Sequence, residues 1–144
     1  MNSKYTDSVY CIVRVIVGLV YACHGGQKLL GFPGGGHGVS GLEFVAGIIE
    51  LVCGLLITIG LFTRLAAFLA SGEMAIAYFV FYVGVVELPA AWFFPIMNGG
   101  ELPLVLCWLF FFMVFYGSGN WSIDSMLRTR KNTETTSAAV HKAA

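Results

Sequence analysis

Arg14, Glu50 and Glu73 each fall inside a long apolar run of the sequence. At bilayer depth an ionisable side chain costs roughly 2.5–3.5 kcal/mol even on lenient scales, so it is kept there by a partner, by water or by a task. An arginine facing carboxylates in an apolar core can form an ion pair that fixes helix register, or it can belong to a site that holds and passes protons. One guanidinium does not neutralise two carboxyls. One of Glu50 and Glu73 is therefore expected to be protonated or bonded to another donor, because desolvation disfavours the charged form.

A second polar group follows in His24-Gly25-Gly26-Gln27-Lys28-Leu29. His24 and Lys28 are four residues apart, hence neighbours on a helix surface. His24 can relay a proton or bind a ligand, or serve as a hydrogen-bonded packing residue. In Phe93-Phe94-Pro95-Ile96-Met97-Asn98-Gly99-Gly100-Glu101, Asn98 is expected to cap the helix that follows. Glu101, three residues on, would complete a capping-box-like arrangement and could face Lys28 or His24 across an outer mouth. His37 stands in a glycine-rich loop that lacks the Lys-Ser/Thr ending of a phosphate-binding loop, with no strand before it. Two histidines and scattered carboxylates show no recognised metal-ligand spacing, so no metal is expected. The four cysteines, Cys11, Cys23, Cys53 and Cys107, form no C-x-x-C pair and read as small buried hydrophobes. Cys23 and Cys53 would meet only if their helices packed closely at matching depth.

The elements that position these residues are membrane helices. Hydrophobic residues make up 58% of the 144-residue chain and charged residues 11%, where soluble domains run near a quarter charged. About 20 apolar residues cross the roughly 30 Å hydrocarbon core as a helix. Four stretches are candidates: Val9–Leu30, Leu42–Leu61, Arg64–Val86 and the shorter Leu102–Tyr116. The fold class is all-α, an integral membrane four-helix bundle over 1–127. The polar Thr/Ser/Ala-rich tail, 128–144, is expected to be disordered.

Helical spacing places the charges on faces. Arg14, Gly18, Tyr21, Gly25 and Lys28 form one stripe of the first span, and Glu43, Gly47, Glu50, Gly54 and Ile57 repeat the spacing in the second. Glycines on both stripes permit close helix approach. By depth, Arg14 is expected to meet Glu50 or Glu73 in one inward-facing cluster, with His24, Lys28, Asn98 and Glu101 nearer the outer mouth.

Eight basic and eight acidic residues balance, so no basic field points to nucleic acid. Lys4, Arg64 and the tail group Arg128, Arg130, Lys131 and Lys142 lie outside the spans, whereas Gly31–Gly41 and Glu87–Glu101 carry no Lys or Arg. The positive-inside rule therefore puts both termini and the Phe62–Thr63 turn in the cytoplasm, against a mild counter-signal from Lys28. Trp92 and Trp121 fit interfacial belts. The first span lacks a small-residue cleavage site at a typical distance and is expected to be retained.

Together these residues resemble the DoxX family. The resemblance is carried by Arg14, His24-Gly25-x-x-Lys28-Leu29, Glu50 with Gly54-Leu55-Leu56-x-x-Gly60-Leu61-x-Thr63-Arg64, and Gly117-Ser118-Gly119-Asn120-Trp121-Ser122-Ile123-Asp124. Asn98-Gly99-Gly100-Glu101 is similar to one branch of the family. Ser118-Gly119-Asn120 departs from a frequent Gly-Pro-Gly. The resemblance spans about Cys11 to Asp124. It implies a four-helix protein of the bacterial inner membrane, associated with oxidoreductases as a subunit and with redox partner subunits.

No haem-ligand pair, cysteine pair or nucleotide motif is present, so a redox centre would come from a bound quinone or from a partner. Two readings follow. In the first, a quinone or other lipophilic molecule binds between helices, with His24, Lys28, Glu50 and Glu73 managing protons. In the second, a non-catalytic transporter or structural partner uses its charges to fix packing. The first requires an apolar slot open to lipid with His24 or a carboxylate at its end. The second requires Arg14 and both glutamates fully paired in a closed core. No motif sets a substrate or an oligomeric state.

Overall fold

The computed structural model describes residues 3–34, 39, 41–83 and 94–143, with side chains between 5 and 133. The described residues are helical and contain no strand. In chain order they form α1 (Ser3–Leu30), α2 (Leu42–Ile59), α3 (Thr63–Ala77, continued by π-helical turns over Tyr78–Val83), the short α4 (Pro95–Asn98), α5 (Glu101–Tyr116) and α6 (Ile123–Ala143). Three of them are long and apolar enough to cross a membrane: Tyr5–Leu30, Leu42–Ile59 and Thr63–Val83. The apolar α5 has 16 residues and spans about 24 Å at 1.5 Å per residue. His37 and Trp92 lie outside the described residues.

Two helix pairs build the molecule: α1 lies against α2 and α3 against α5, and the α2–α3 contact joins them. Glycine makes the first seam. A Cβ at Gly18 would come within 2.6 Å of the Thr58 hydroxyl, one at Gly54 within 2.5 Å of the Ala22 backbone, and one at Gly25 would strike the Leu51 backbone. Alanine makes the second seam. Ala66, Ala67 and Ala70 are fully buried beside Phe110 and Met113, so α5 approaches closely enough for Phe110 to reach Tyr21 of α1 at a ring separation of 4.7 Å. Small residues that let backbones approach are the usual basis of helix packing in lipid, where no hydrophobic force acts between helices. The outward faces are apolar, with Ile16, Leu19, Ile48, Val52, Leu65 and Phe68 all exposed. Such a surface suits a bilayer and no aqueous solvent.

The segment read as a disordered tail is helical instead. Ser122 caps α6 by accepting from the Ser125 N–H at 3.1 Å, which satisfies an otherwise orphaned donor. The Thr129 and Thr133 hydroxyls then return to carbonyls one turn back. The segment lacks an apolar stripe, but Met, Leu, Arg, Lys and Ala are good helix formers. The four cysteines are free, with Cys11 and Cys53 buried, Cys107 half-buried and Cys23 exposed.

Candidate functional site

The antiparallel register of α1 and α2 divides the expected charge cluster in two. Gly18 lies against Gly54 and Thr58, and Gly25 against Gly47 and Leu51. Arg14 therefore lies beside the C-terminal end of α2, not beside Glu50. Its guanidinium donates to the carbonyls of Ile57 at 2.5 Å and Thr58 at 3.1 Å, and to that of Trp121 at 2.6 Å. Glu50 precedes Ile57 by seven residues on α2, about 10 Å along the axis, which corrects the expected Arg14–Glu50 pairing. The reason is chemical. Helix C-terminal carbonyls carry the negative end of the macrodipole and need donors, so a buried arginine there requires no carboxylate.

The same end holds other backbone-directed polar contacts. Asp124 accepts from the Phe62 N–H at 3.0 Å and the Thr63 N–H at 3.1 Å, capping α3. Its own N–H donates to the Gly60 carbonyl at 3.0 Å. Tyr10 donates to the Gly117 carbonyl. This end is a latch that ties the α2–α3 turn to the start of α6.

At the opposite end His24, Lys28, Glu50 and Glu73 meet around one cavity of about 240 Å³, together with Tyr21 and Glu43. Lys28 Nζ donates to Glu50 Oε1 at 2.8 Å, and the Tyr21 hydroxyl donates to Glu73 Oε2 at 2.8 Å. Glu50 is 3% and Glu73 9% exposed, while one third of the Lys28 side chain remains accessible. His24 Nδ1 contacts the Val20 carbonyl at 2.8 Å. In the neutral ring that contact places the proton on Nδ1 and leaves Nε2 an acceptor. Glu50 Oε2 is buried and has no hydrogen-bond partner.

Asn98 and Glu101 do not join this group. Asn98 Oδ1 accepts from the Gly100 N–H at 2.8 Å, closing the α4–α5 turn, and Gly100 occupies the N-cap position expected for Asn98. Two glycines after Asn98 allow this local turn to win over a cap. Glu101 is exposed at the first position of α5, next to Leu102, which does line the cavity.

Tyr21 and Glu43 were not singled out as site residues. Both lie on the glycine-marked stripes, and that periodicity was the available signal. Among the described residues no group of three or more His, Cys, Asp or Glu is placed to hold a metal ion.

An apolar groove of about 290 Å³ runs between α2 and α3, lined by residues including Val45, Ile49, Phe68 and Ile76. It shares Ala46, Glu73, Ala77 and Phe81 with the polar cavity. Glu73 thus stands where an apolar slot meets a chamber that carries the charged side chains.

A family model described as DoxX matches residues 9–83, which contain most of α1, all of α2 and α3, and five of the polar residues around the cavity: Tyr21, His24, Lys28, Glu50 and Glu73. A protein of Haemophilus influenzae described as uncharacterized is 44% identical over 128 residues, covering 85% of this chain and 92% of that one. A membrane protein of Mycobacterium tuberculosis, also described as uncharacterized, is 31% identical over 144 residues, covering 90% of this chain and 87% of that one. No solved structure matches the chain.

Proposed function

The chain belongs to the DoxX family of membrane proteins, and from that premise we propose that it binds a quinone or a similar lipophilic ring molecule in the Lys28–Glu50–Glu73 cavity and serves a membrane oxidoreductase as a subunit. The observation that carries this reading is Glu50 Oε2, buried on the cavity wall without a donor. Leaving a buried acceptor unmade costs about 1–3 kcal/mol, more when it is charged. A ligand hydroxyl supplies the missing bond. Glu43, Glu50 and Glu73 line the cavity together with one lysine, paired to Glu50, and the Tyr82 hydroxyl, while the Tyr21 hydroxyl is already given to Glu73. Acceptors therefore outnumber donors, and the hydroxyl-bearing reduced form of such a ring suits the chamber better than the carbonyl form. His24 Nε2 is a further acceptor for its proton.

In this reading α5 is the fourth span of a four-helix bundle in the bacterial inner membrane. The latch end and both termini face the cytoplasm, as the distribution of Lys and Arg favours. Electrons pass to or from partner subunits. The test is to isolate the protein from its native membranes, extract bound lipophiles and identify them by mass spectrometry, alongside respiratory electron flow in Glu50→Gln. A co-purifying quinone and slowed flow are expected. No bound quinone together with unchanged flow sinks the reading.

The excess of carboxylates also favours a second reading, a transporter of lipophilic cations. Displacement of the quinone by a tetraphenylphosphonium probe, with no respiratory effect of Glu50→Gln, would select it.

A further inference from the structure

Gly72 is unlike the glycines of the α1–α2 seam. At Gly18, Gly25, Gly47 and Gly54 an added Cβ would press on the neighbouring helix, so packing explains them. Gly72 lies inside α3, and a Cβ there would meet nothing within 4 Å. A glycine in a helix interior is less favourable than alanine, and no helix contact offsets that at Gly72. What Gly72 does border is the groove between α2 and α3, and the space above it is continuous with that slot.

The groove is almost wholly apolar, and one buried ionisable residue, Glu73, belongs to both groove and cavity. An amphiphile with a hydrogen-bonding ring and an apolar chain fits this pair of spaces in one orientation, ring inward and chain outward. Val45, on α2, forms the facing wall and is half exposed. Ala77 and Phe81 continue the shared rim along α3 into its π-helical turns.

We infer that the ligand enters the cavity sideways from the bilayer through the α2–α3 groove, that its apolar chain rests in the groove over Gly72, and that Gly72 determines which chains are admitted. This rests on the reading of the cavity given above and adds the route, the chain-binding slot and a specificity-determining residue. The chain leaves one apolar surrounding for another, so the groove gains little from hydrophobic transfer. Its effect on binding comes from shape, and a bulky group placed over Gly72 acts by exclusion.

The test uses the full chain in lipid nanodiscs and two probes: a dimethoxy-methyl hydroquinone carrying a decyl chain, and the same ring without it. Binding is measured for wild type, Gly72→Ala, Gly72→Phe and Val45→Phe, with thermal unfolding of each variant as the folding control. Gly72→Phe is expected to weaken the decyl probe by about tenfold or more, as overpacking does in a filled site. It should leave the bare ring within about twofold, and Gly72→Ala should bind both probes like wild type. Val45→Phe narrows the slot from the opposite helix and should repeat the pattern even if Gly72→Phe does not fold. Equal binding of the decyl probe by wild type and both Phe variants overturns the inference while the cavity reading stands. Equal loss of both probes also overturns it, because the change would then act on the chamber and not on the chain. Failure of wild type to bind either probe removes the cavity reading, and the inference with it.

Discussion

Arg14 and Glu50 are both buried charges on the α1–α2 seam, 1% and 3% exposed, yet their surroundings are opposite. Arg14 is held by three backbone carbonyls from two separate segments. Around it most polar groups are aimed at backbone, Asp124 at two N–H groups, Tyr10 at a carbonyl and Ser122 at an N–H, with Tyr116 and Cys11 donating to the Asp7 carboxylate as the exceptions. At the other end side chains bond to side chains, Lys28 to Glu50 and Tyr21 to Glu73, around an open chamber. Burial does not tell the two ends apart; the kind of partner does. Backbone partners are fixed by the fold, whereas a carboxylate holding one lysine keeps an oxygen to offer. Each end nevertheless keeps a buried atom without a partner, Arg14 Nε and Thr63 Oγ1 at the latch and Glu50 Oε2 at the cavity. Only the last of these belongs to a residue that lines the chamber.

The largest effect that would sharpen this contrast is expected at Arg14. Hydrogen bonds from a charged donor contribute about 1.5–3 kcal/mol each, and carbonyls left buried without a donor add a penalty. Arg14→Met should therefore lower stability by about 4 kcal/mol, read as a fall in the unfolding midpoint in detergent or nanodiscs. Any folded fraction should still bind the bare hydroquinone ring. If Arg14→Met unfolds like wild type but loses ligand, the latch is no latch and the comparison fails.

A smaller effect of the same kind is expected at Asp124. Its carboxylate caps the α2–α3 junction, where Phe62 adopts a left-handed φ of 48°, a conformation that is costly for a bulky residue. Asp124→Ala should cost about 1–2 kcal/mol, the range for a lost helix cap. Phe62→Gly in the same background should return part of it by relieving the backbone. Ligand binding at the far end is expected to be unchanged in both variants.

The helical stripes made much of this legible. Periodicity alone put Arg14, Gly18, Tyr21, Gly25 and Lys28 on one face, and Glu43, Gly47, Glu50 and Gly54 on another, and the glycines do form the seam. What periodicity lacks is register between helices. A slide of two turns decides whether Arg14 meets a carboxylate or a helix end, and that is set by Gly18 and Gly25 locking onto Gly54 and Gly47. Counted from the edges of the apolar runs, Glu50 already stands about six residues deeper than Arg14, roughly 9 Å along a helix axis, which is more than the arginine spans. Asn98 was misplaced for a related reason: one side chain can cap a helix or close a turn, and the two glycines after it decide. The chamber and the groove belong to the packing of three or four helices, and no single segment announces them. Gly72, between Ser71 and Glu73 and on no stripe of small residues, is silent in sequence.

The smallest stability effect is expected where the charges are most conspicuous. Replacing a buried ion pair by apolar residues of similar volume is often neutral or stabilising, whereas removing one partner is costly because it strands the other. Lys28 and Glu50 form such a pair, and one oxygen of Glu50 is unsatisfied even with the lysine in place. The double variant Lys28→Met/Glu50→Leu removes both charges and the orphaned acceptor together. Its stability should stay within about 1 kcal/mol of wild type, or exceed it, while the hydroquinone ring is no longer bound. Sites kept for function commonly cost stability in this way. A loss as large as that of Arg14→Met would mean that Lys28 and Glu50 are structural as well, and the two ends would then differ only in whether their partners are backbone or side chain. An unchanged midpoint with binding abolished would instead set the cavity apart from the Arg14 site as a place where charge is held for a ligand.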